Sequence, residues 1–312
     1  MNKELKETKN IISVLMNCYN GELYLRETLK SLERQTLKNF ELVFVDNFSS
    51  DGSVNILNEF DFNLKLISLS ENVSLGTARK IGVENCSSKY ITILDTDDIY
   101  NIDSLQILYT SISSGNYGFA YGHQKLIDAN GKSIGKINNI YAGLSGFFFD
   151  KLLRQFDIPL VGSIINRDII NENNINFSEK FKGSEEFDFF LRLAAVSSAI
   201  SIDEYVVNYR LHQSLSSSLG ELKYKERELA LINLKKENPR YYIKFRNSFN
   251  NAFRRVEYYK AQYEISVGKW SSARTRLFKI SIYDIRYTLL FIFSLFKPVW
   301  KFVQKKKYKS HV

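Results

Sequence analysis

The sequence has few cysteines and no long apolar run, and these two shortages narrow the classes of protein that it can encode. Its 312 residues include only Cys18 and Cys86, too few for a disulfide framework or a zinc cluster. No apolar run reaches the roughly 18 residues of a membrane-spanning helix. Residues 1–10 are polar and charged and lack the apolar core of a signal peptide. We therefore expect a protein of a reducing compartment, the cytoplasm.

Charge is distributed unevenly along the chain. Residues 1–220 carry 21 Lys and Arg against 27 Asp and Glu, a net charge of −6, whereas residues 221–312 carry 22 against 7, a net charge of +15; the two sum to the overall +9. This asymmetry predicts two functional parts, residues 1–220 and residues 221–312. The basic part suits nucleic acid, an acidic partner surface or anionic lipid.

Apolar runs and helical patterns alternate over the first hundred residues. This alternation predicts an α/β fold with a parallel sheet covered by helices on both faces. Three further segments beyond residue 160 predict two strands and a helix. The predicted strands are 11–16, 40–45, 64–68, 90–94, 161–165 and 206–209, and the predicted helices are 23–32, one from residue 54, 76–83 and 187–196.

The part beyond residue 221 is helical in pattern and rich in Tyr, Phe, Lys and Arg. Pro239 is expected to separate two helices and Gly268 to end another. Residues 287–296 contain no charge and are followed by a cluster of lysines. This stretch is too short to span a bilayer, so it predicts either a helix lying in a membrane interface or a helix packed on the rest of the protein.

Three carboxylates follow the predicted strand 90–94 within four residues. Asp95, Asp97 and Asp98 would lie at the carboxyl end of that strand, the end where open α/β sheets bind ligands. Crowded carboxylates repel one another unless a cation lies between them. Their oxygens suit Mg²⁺ or Mn²⁺ shared with a substrate phosphate. The alternative is an acidic turn in which Asp97 or Asp98 caps the next helix.

Three segments in this order and spacing resemble the family 2 glycosyltransferases, which have the GT-A fold. They are Ser13-Val-Leu-Met-Asn-Cys-Tyr-Asn-Gly21 with Leu25-Arg-Glu-Thr-Leu29 and residues 35–46, Asn72-Val-Ser-Leu-Gly-Thr-Ala-Arg79 through to Asp98, and Ser184-Glu-Glu-Phe-Asp-Phe-Phe-Leu-Arg192 with Tyr209-Arg-Leu-His212. The resemblance covers roughly residues 10–215. It implies a Rossmann-like mixed sheet with a helical C-terminal region, and the transfer of a sugar, with inversion, from a nucleotide-diphosphate donor to an acceptor hydroxyl.

The resemblance also assigns the donor nucleotide to particular side chains. Tyr19 and Asn20 match the positions near the base, where an aromatic ring can stack. Asp46 matches a nucleotide-binding acid, and Asn47 replaces the second acid that is common there. Arg79 matches an arginine near the donor, and a guanidinium suits diphosphate oxygens. The structural alternatives are a half-buried ring for Tyr19 and an exposed helix residue for Arg79.

By the same resemblance, Asp95 and Asp97 are the D-x-D pair. Asp95 is expected near the ribose and donor sugar and Asp97 at the metal, with Asp98 as an alternative ligand. His212 follows in a Tyr-Arg-x-His pattern and is expected to bind the metal or the donor phosphates; a structural hydrogen bond is the alternative. Bound Mn²⁺ or Mg²⁺ would neutralise the departing diphosphate.

The catalytic base is expected from the second acid of a pair. The family has Glu-Asp there, and this chain has Glu185-Glu186, so Glu186 takes the role of accepting the acceptor's proton. Glu185 and then Asp188 are the rival bases. The alternative is that these acids only favour the start of a helix through its dipole.

Together these features predict a catalytic domain at residues 1–220 and a membrane-associating region at residues 221–312. The resemblance favours a UDP-sugar donor and a glycan or lipid-linked acceptor of bacterial surface-glycan assembly. The C-terminal region is expected to hold the protein at the inner face of the cell membrane, with no nucleic-acid partner expected. Three alternatives remain at this point: a nucleotidyltransferase, an inactive scaffold or nucleotide-binding protein of the same fold, and a nucleic-acid binder through the basic part.

Overall fold

The computed structural model describes residues 10–212 and 220–300, and these form two compact units. The sheet unit comprises the described residues of Met1–Phe148, Asp157–Lys180 and Arg192–His212. The helical unit comprises those of Phe149–Phe156, Phe181–Leu191 and Gln213–Val312. These units do not correspond to one cut at residue 220, and the functional division into residues 1–220 and 221–312 stays a prediction.

Ten strands make up the sheet unit's framework. They are β1 (Ile12–Cys18), β2 (Phe40–Asp46), β3 (Leu64–Ser68), β4 (Tyr90–Ile93), β5 (Ile99–Tyr100), β6 (Tyr117–Ile127), β7 (Ser133–Ile137), β8 (Ser145–Phe147), β9 (Ser163–Asn166) and β10 (Ser198–Arg210). Twelve α-helices occur among the described residues. They are α1 (Glu22–Glu33), α2 (Ser53–Leu57), α3 (Leu75–Asn85), α4 (Ser104–Ser113), α5 (Phe149–Arg154), α6 (Arg167–Glu172), α7 (Glu185–Val196), α8 (Gly220–Glu237), α9 (Pro239–Lys244), α10 (Arg246–Ser266), α11 (Trp270–Ser281) and α12 (Ile285–Leu295).

All ten strands belong to one mixed sheet. Its main path runs β3-β2-β1-β4-β9-β6-β10-β5, with β7 paired to β6 and β8 paired to β10. The first four strands are mutually parallel, as the sequence predicts, whereas β9 runs antiparallel to both β4 and β6. The predicted α/β fold with a mixed sheet is therefore confirmed.

The two faces of β1 are buried against different helices, which explains its almost continuous apolar sequence. Ile12, Val14 and Met16 share a core with Leu25 and Leu29 of α1. Residues of a strand alternate between its faces, so Leu15 points to the other side, where it meets α3 at Gly82. This second contact fixes how closely α3 approaches the sheet.

Gly82→Ala is expected to destabilise the protein by about 1–2 kcal/mol. A Cβ at Gly82 would lie 2.2 Å from Leu15 Cδ1 and 2.9 Å from Leu15 Cδ2. Overpacking of this kind costs about 1–3 kcal/mol, which outweighs the roughly 0.5–1 kcal/mol that alanine gains over glycine within a helix. The midpoint of urea unfolding measures the difference.

Gly220→Ala is the matched control for this change. Its Cβ would come no nearer than 3.9 Å to its neighbour, Tyr263, and Gly220 is the first residue of α8, so alanine there meets no clash and should change stability little. A stabilised Gly82→Ala variant would show that α3 does not need the close approach to Leu15.

The helical unit contains α5, the first turns of α7, and α8 to α12. Tyr258, Ala261 and Ile265 of α10 form a core with Ala273 and Leu277 of α11. Pro239 begins α9 directly after α8, and Gly268, with φ +81°, follows the end of α10. Both predicted helix boundaries are therefore confirmed. Among the described residues, no helix combines the length and the apolar character needed to cross a bilayer.

Candidate functional site

The carboxyl ends of β1, β2 and β4 meet at one edge of the sheet. Cys18 pairs with Asp46 at the ends of β1 and β2, and β4 lies on the other side of β1. The polar residues that follow these three strands are therefore neighbours in the sheet unit. This arrangement agrees with the general position of ligand sites in open α/β sheets.

Tyr19 and Asn20 form the turn that leaves β1. Asn20 has φ +52°, a left-handed conformation that asparagine tolerates better than most residues. Its Oδ1 accepts a hydrogen bond from the backbone N–H of Ser50 at 2.8 Å, so it ties this turn to the loop after β2. Tyr19 is 53% exposed, so about half of the residue is accessible to a ligand, and the alternative of a half-buried ring stays open.

Asp46 and Asn47 are buried at the end of β2. Asp46 Oδ1 accepts a hydrogen bond from the Ser49 N–H at 3.1 Å. The Asn47 amide donates to the carbonyl of Val73 at 3.0 Å and accepts from the Val73 N–H at 2.9 Å. Asn47 thus holds the segment that leads into α3, and its assignment to the donor nucleotide stays a prediction.

Asn17 is a polar residue at this edge to which sequence reasoning gave no role. It is buried near the end of β1, and neither Nδ2 nor Oδ1 has a hydrogen-bond partner among the described residues. Leaving such groups unsatisfied costs about 1–3 kcal/mol. The amide is therefore a group that a bound ligand could satisfy. Its only signal in the sequence is a polar residue within an apolar strand.

Arg79 is a buried residue of α3, with a side chain that is only 4% exposed, and this excludes the alternative of an exposed helix arginine. Its Nη2 donates to Asp95 Oδ1 at 3.2 Å. The guanidinium also lies over the ring of Phe177, at 5.9 Å from the centroid. A buried guanidinium needs such compensation for its lost hydration. The structure thus joins the first D-x-D acid to the predicted donor arginine.

Asp97 and His212 are brought together from positions 115 residues apart. His212 Nε2 lies 2.7 Å from Asp97 Oδ2, and the two side chains remain 23% and 32% exposed. The His212 ring also contacts the ring of Tyr24, with centroids 5.2 Å apart. The predicted metal pair is therefore adjacent and accessible, while its role as a metal site stays a prediction.

A carboxylate oxygen and an imidazole nitrogen suit Mn²⁺ and are acceptable to Mg²⁺. Within residues 10–212 and 220–300, no three His, Cys, Asp or Glu side chains are grouped closely enough to hold a metal ion by themselves. The donor set at Asp97 and His212 fits a metal that completes its coordination with substrate oxygens and water.

Asp98 turns away from Asp97 into the protein. It is buried, its Oδ1 accepts a hydrogen bond from the Arg210 N–H at 2.8 Å, and its Oδ2 has no partner among the described residues. Burial, together with the charges of Asp97 and Asp95, raises the pKa of Asp98 well above its usual range. Its role as an alternative metal ligand stays a prediction. Helix α4 begins only at Ser104, after Asp103, so neither Asp97 nor Asp98 caps it.

Arg210 fixes the backbone that carries Asp97. Its buried guanidinium donates from Nε to the Asp97 carbonyl at 2.8 Å, and from Nη1 to the carbonyls of Asp128 and Ala129 at 3.3 and 3.2 Å. Nη2 pairs with Glu27. Five donors in a rigid fork allow one arginine to hold several acceptors. Arg210 is therefore a positioning residue for the turn.

The predicted base lies in the helical unit, on the first turn of α7. This turn carries Glu185, Glu186 and Asp188. Glu185 and Asp188 are buried, whereas Glu186 is partly exposed. Of these three acids, Glu186 is thus the one that an acceptor in solution can reach most easily.

Glu226 on α8 holds the segment before α7. Its two carboxylate oxygens accept the backbone N–H groups of Lys182 and Gly183 at 2.8 and 2.9 Å, and the residue is buried. Charge-assisted hydrogen bonds to backbone N–H groups are stronger than neutral ones. Sequence reasoning missed this residue, because an acid within a long charged helix carries no motif.

Comparisons with known proteins agree with this fold. Solved structures show that the chain has the GT-A fold. The TarS structure from S. aureus, residues 1–349 with UDP-GlcNAc, matches at a TM-score of 0.67 and 18% identity over 96% of this chain and 92% of that one. The mannosyltransferase PcManGT from Pyrobaculum calidifontis, with GDP-Man and Mn²⁺, matches at 0.63 and 14% identity over 97% and 86% of the two chains.

The family model described as Glycosyl transferase family 2 matches residues 13–173. The chain belongs to this family and is a glycosyltransferase. Among curated relatives, it is 27% identical over 232 residues to the UDP-Glc:alpha-D-GlcNAc-diphosphoundecaprenol beta-1,3-glucosyltransferase WfgD of Escherichia coli, covering 73% of this chain and 88% of the relative. It is 37% identical over 114 residues to the glycosyltransferase GlyA of Streptococcus pneumoniae, covering 36% and 16%.

Proposed function

We propose that this glycosyltransferase moves a sugar, with inversion, from a UDP-sugar to a hydroxyl of a lipid-linked glycan acceptor. The observation that carries the proposal is a pair of contacts made by one turn: Asp97 pairs with His212, and Asp95 pairs with Arg79. Charged donors and acceptors of this kind suit a diphosphate and a divalent cation. A relative with 27% identity is named for transfer from UDP-Glc to a diphosphoundecaprenol-linked sugar.

The donor nucleotide is bound at the carboxyl edge of β1, β2 and β4. The exposed ring of Tyr19 stacks on the base, and the buried amide of Asn17 and the carboxylate of Asp46 supply polar contacts beside it. Asn20 and Asn47 keep the surrounding loops in place through their backbone hydrogen bonds. In this division of roles, the aromatic ring contributes affinity for the base, and the polar groups determine which base is bound.

Arg79 and Asp95 act at the sugar and diphosphate end of the donor. Arg79 Nη2 donates to Asp95. We assign Asp95 to the ribose and donor sugar, as the family resemblance implies, and Arg79 adds positive charge for the diphosphate. Asp97 and His212 would hold a divalent cation, Mn²⁺ or Mg²⁺. When bound, that cation neutralises the negative charge that builds on the departing diphosphate.

Glu186 is the general base. The acceptor hydroxyl oxygen attacks the anomeric carbon, the bond from that carbon to the diphosphate oxygen breaks, and the hydroxyl proton passes to the Glu186 carboxylate. One displacement on the face opposite the leaving group inverts the anomeric configuration, by the geometric logic that also governs inverting hydrolases. The partial exposure of Glu186, against buried Glu185 and Asp188, favours this assignment.

Residues 1–220 then supply the catalytic domain and residues 221–312 a region that associates with the inner face of the cell membrane. The +15 charge of the second part suits an anionic lipid surface. A lipid-linked acceptor would be presented at such a surface. A catalytically inactive GT-A scaffold is the second candidate, favoured by Asn47 at a position where the family commonly has an acid.

Calorimetry with UDP, GDP, CMP and dTDP, each with and without Mn²⁺, tests the proposal. We expect UDP to bind at least tenfold more tightly in the presence of Mn²⁺, because cation and diphosphate bind cooperatively at Asp97 and His212. UMP is the control, since it lacks the second phosphate. A folded protein that binds none of these nucleotides would contradict the proposal and favour the scaffold. Tighter binding of another diphosphate would change only the donor.

A further inference from the structure

One side of α12 is apolar and faces solvent. We define the apolar face of α12 as Ile285, Leu289, Ile292 and Leu295, which follow one another at helical spacing and are all exposed. Ile285 is the most open of the four, at 70% exposed. Phe278, Ile282 and Phe296, close to this helix along the chain, are exposed as well. Contiguous exposed apolar surface marks an interaction site in a folded protein.

The other side of α12 accounts for the helix's stability. Tyr287, Leu290, Phe291 and Phe293 pack against the core that α10 and α11 form within the helical unit. A helix that needed only to pack against this core could carry polar residues on its outer side. The apolar residues at 285, 289, 292 and 295 are therefore not explained by the fold of this unit.

The sequence around α12 carries more positive than negative charge, although Arg276 is paired with Glu257 and Glu264. Residues 270–300 contain five Lys or Arg and one acid, Asp284. Asp284 is paired with Arg286 at 2.6 Å, and Lys279, Arg286 and Lys297 are exposed. The sequence continues with five lysines in residues 301–312, which lie outside the described residues. A second copy of the chain would bring like charges together, whereas an anionic surface would compensate them.

We infer that the apolar face of α12 docks on the surface of an anionic lipid bilayer. The eleven residues of α12 span about 16 Å, too short to cross the roughly 30 Å hydrocarbon core. An apolar face flanked by lysine and arginine suits a helix lying in the plane of the interface. The role of this contact in catalysis rests on the proposed function, because a lipid-linked acceptor is presented at such a surface.

Co-sedimentation of the full chain with vesicles tests the inference. We expect binding to vesicles of phosphatidylcholine and phosphatidylglycerol and much less binding to phosphatidylcholine alone. The double variant Ile285→Glu and Ile292→Glu should lower the partition coefficient at least tenfold, because it places two charges in the face that inserts into the lipid. Ile243→Glu is the matched control, since Ile243 on α9 of the same unit is 74% exposed and lies outside the apolar face.

Equal vesicle binding by the wild type and the double variant would overturn the inference. So would dimerisation through α12, seen by light scattering as a halved mass in the double variant.

The same variants separate this inference from the proposed function. UDP binding by calorimetry takes place in the sheet unit and should be equal in the wild type, the double variant and Ile243→Glu. Unchanged UDP binding with no vesicle binding by the wild type would overturn the docking surface and leave the transferase proposal in place. Vesicle binding without any nucleotide binding would support the docking surface and contradict the transferase proposal.

Discussion

Glu186→Gln should lower kcat by about 10²- to 10⁴-fold and leave UDP binding unchanged. The amide has the size of the carboxylate but cannot accept the acceptor's proton, and general-base catalysis contributes about this much to a rate. Steady-state kinetics with the UDP-sugar and a lipid-linked acceptor measure kcat, and calorimetry measures UDP binding. A loss in kcat without a loss in nucleotide binding is the result expected for a group that acts on the acceptor alone.

Glu185→Gln and Asp188→Asn are the matched controls. Both acids are buried on the same first turn of α7, so their substitution should affect stability more than kcat. If Glu186→Gln remained active while one of these two lost activity at unchanged stability, that residue would be the base. Full activity of all three variants would exclude this turn as the source of the base.

Asp97→Asn should remove the Mn²⁺ dependence of UDP binding and lower kcat/KM by about 10³-fold. The substitution takes away the negative charge and weakens the contact of residue 97 with His212. Losing the group that holds a charge-stabilising cation costs an enzyme a factor of this order. Two readouts apply besides activity: calorimetry of UDP with and without Mn²⁺, and the electron paramagnetic resonance signal of free Mn²⁺ in a titration.

Asp61→Asn is the control for this change, because Asp61 is an exposed carboxylate of the sheet unit away from the D-x-D turn. It should bind Mn²⁺ and UDP as the wild type does. An Asp97→Asn variant with undiminished Mn²⁺-dependent UDP binding would remove Asp97 from the metal site. His212→Gln should have a smaller effect than Asp97→Asn, because it retains a polar side chain and the local negative charge.

The first four strands could be predicted from the sequence because their signal is local. Each is a short run rich in apolar residues, and the runs are separated by clear helical patterns. β1, β2 and β4 are buried over their whole length, whereas β3, at the edge of the sheet, is partly exposed. Their parallel pairing follows from the alternation itself. The predicted strand 64–68 has the same bounds as β3.

The strands β6, β7 and β8 were not predicted, because their signal is not local. In β6, glycines and the polar residues His123, Gln124 and Lys125 interrupt the apolar pattern. The glycines are needed for packing: a Cβ at Gly118 would overlap Ser197, and one at Gly122 would lie 2.8 Å from the carbonyl of Glu204. These neighbours are about 80 residues away, so only the folded sheet reveals why this segment is a strand.

The sequence by itself determined the α/β sheet, the position of the D-x-D acids at the end of a strand, and an apolar helix within a basic C-terminal part. These follow from short-range periodicity and spacing. Only the tertiary structure decided that Asp97 meets His212, that Arg79 is buried against Asp95, and that Asp98 turns inward onto the backbone of Arg210. The reason is physical: such contacts join residues up to 115 positions apart, and their geometry is set by packing, which no local pattern encodes.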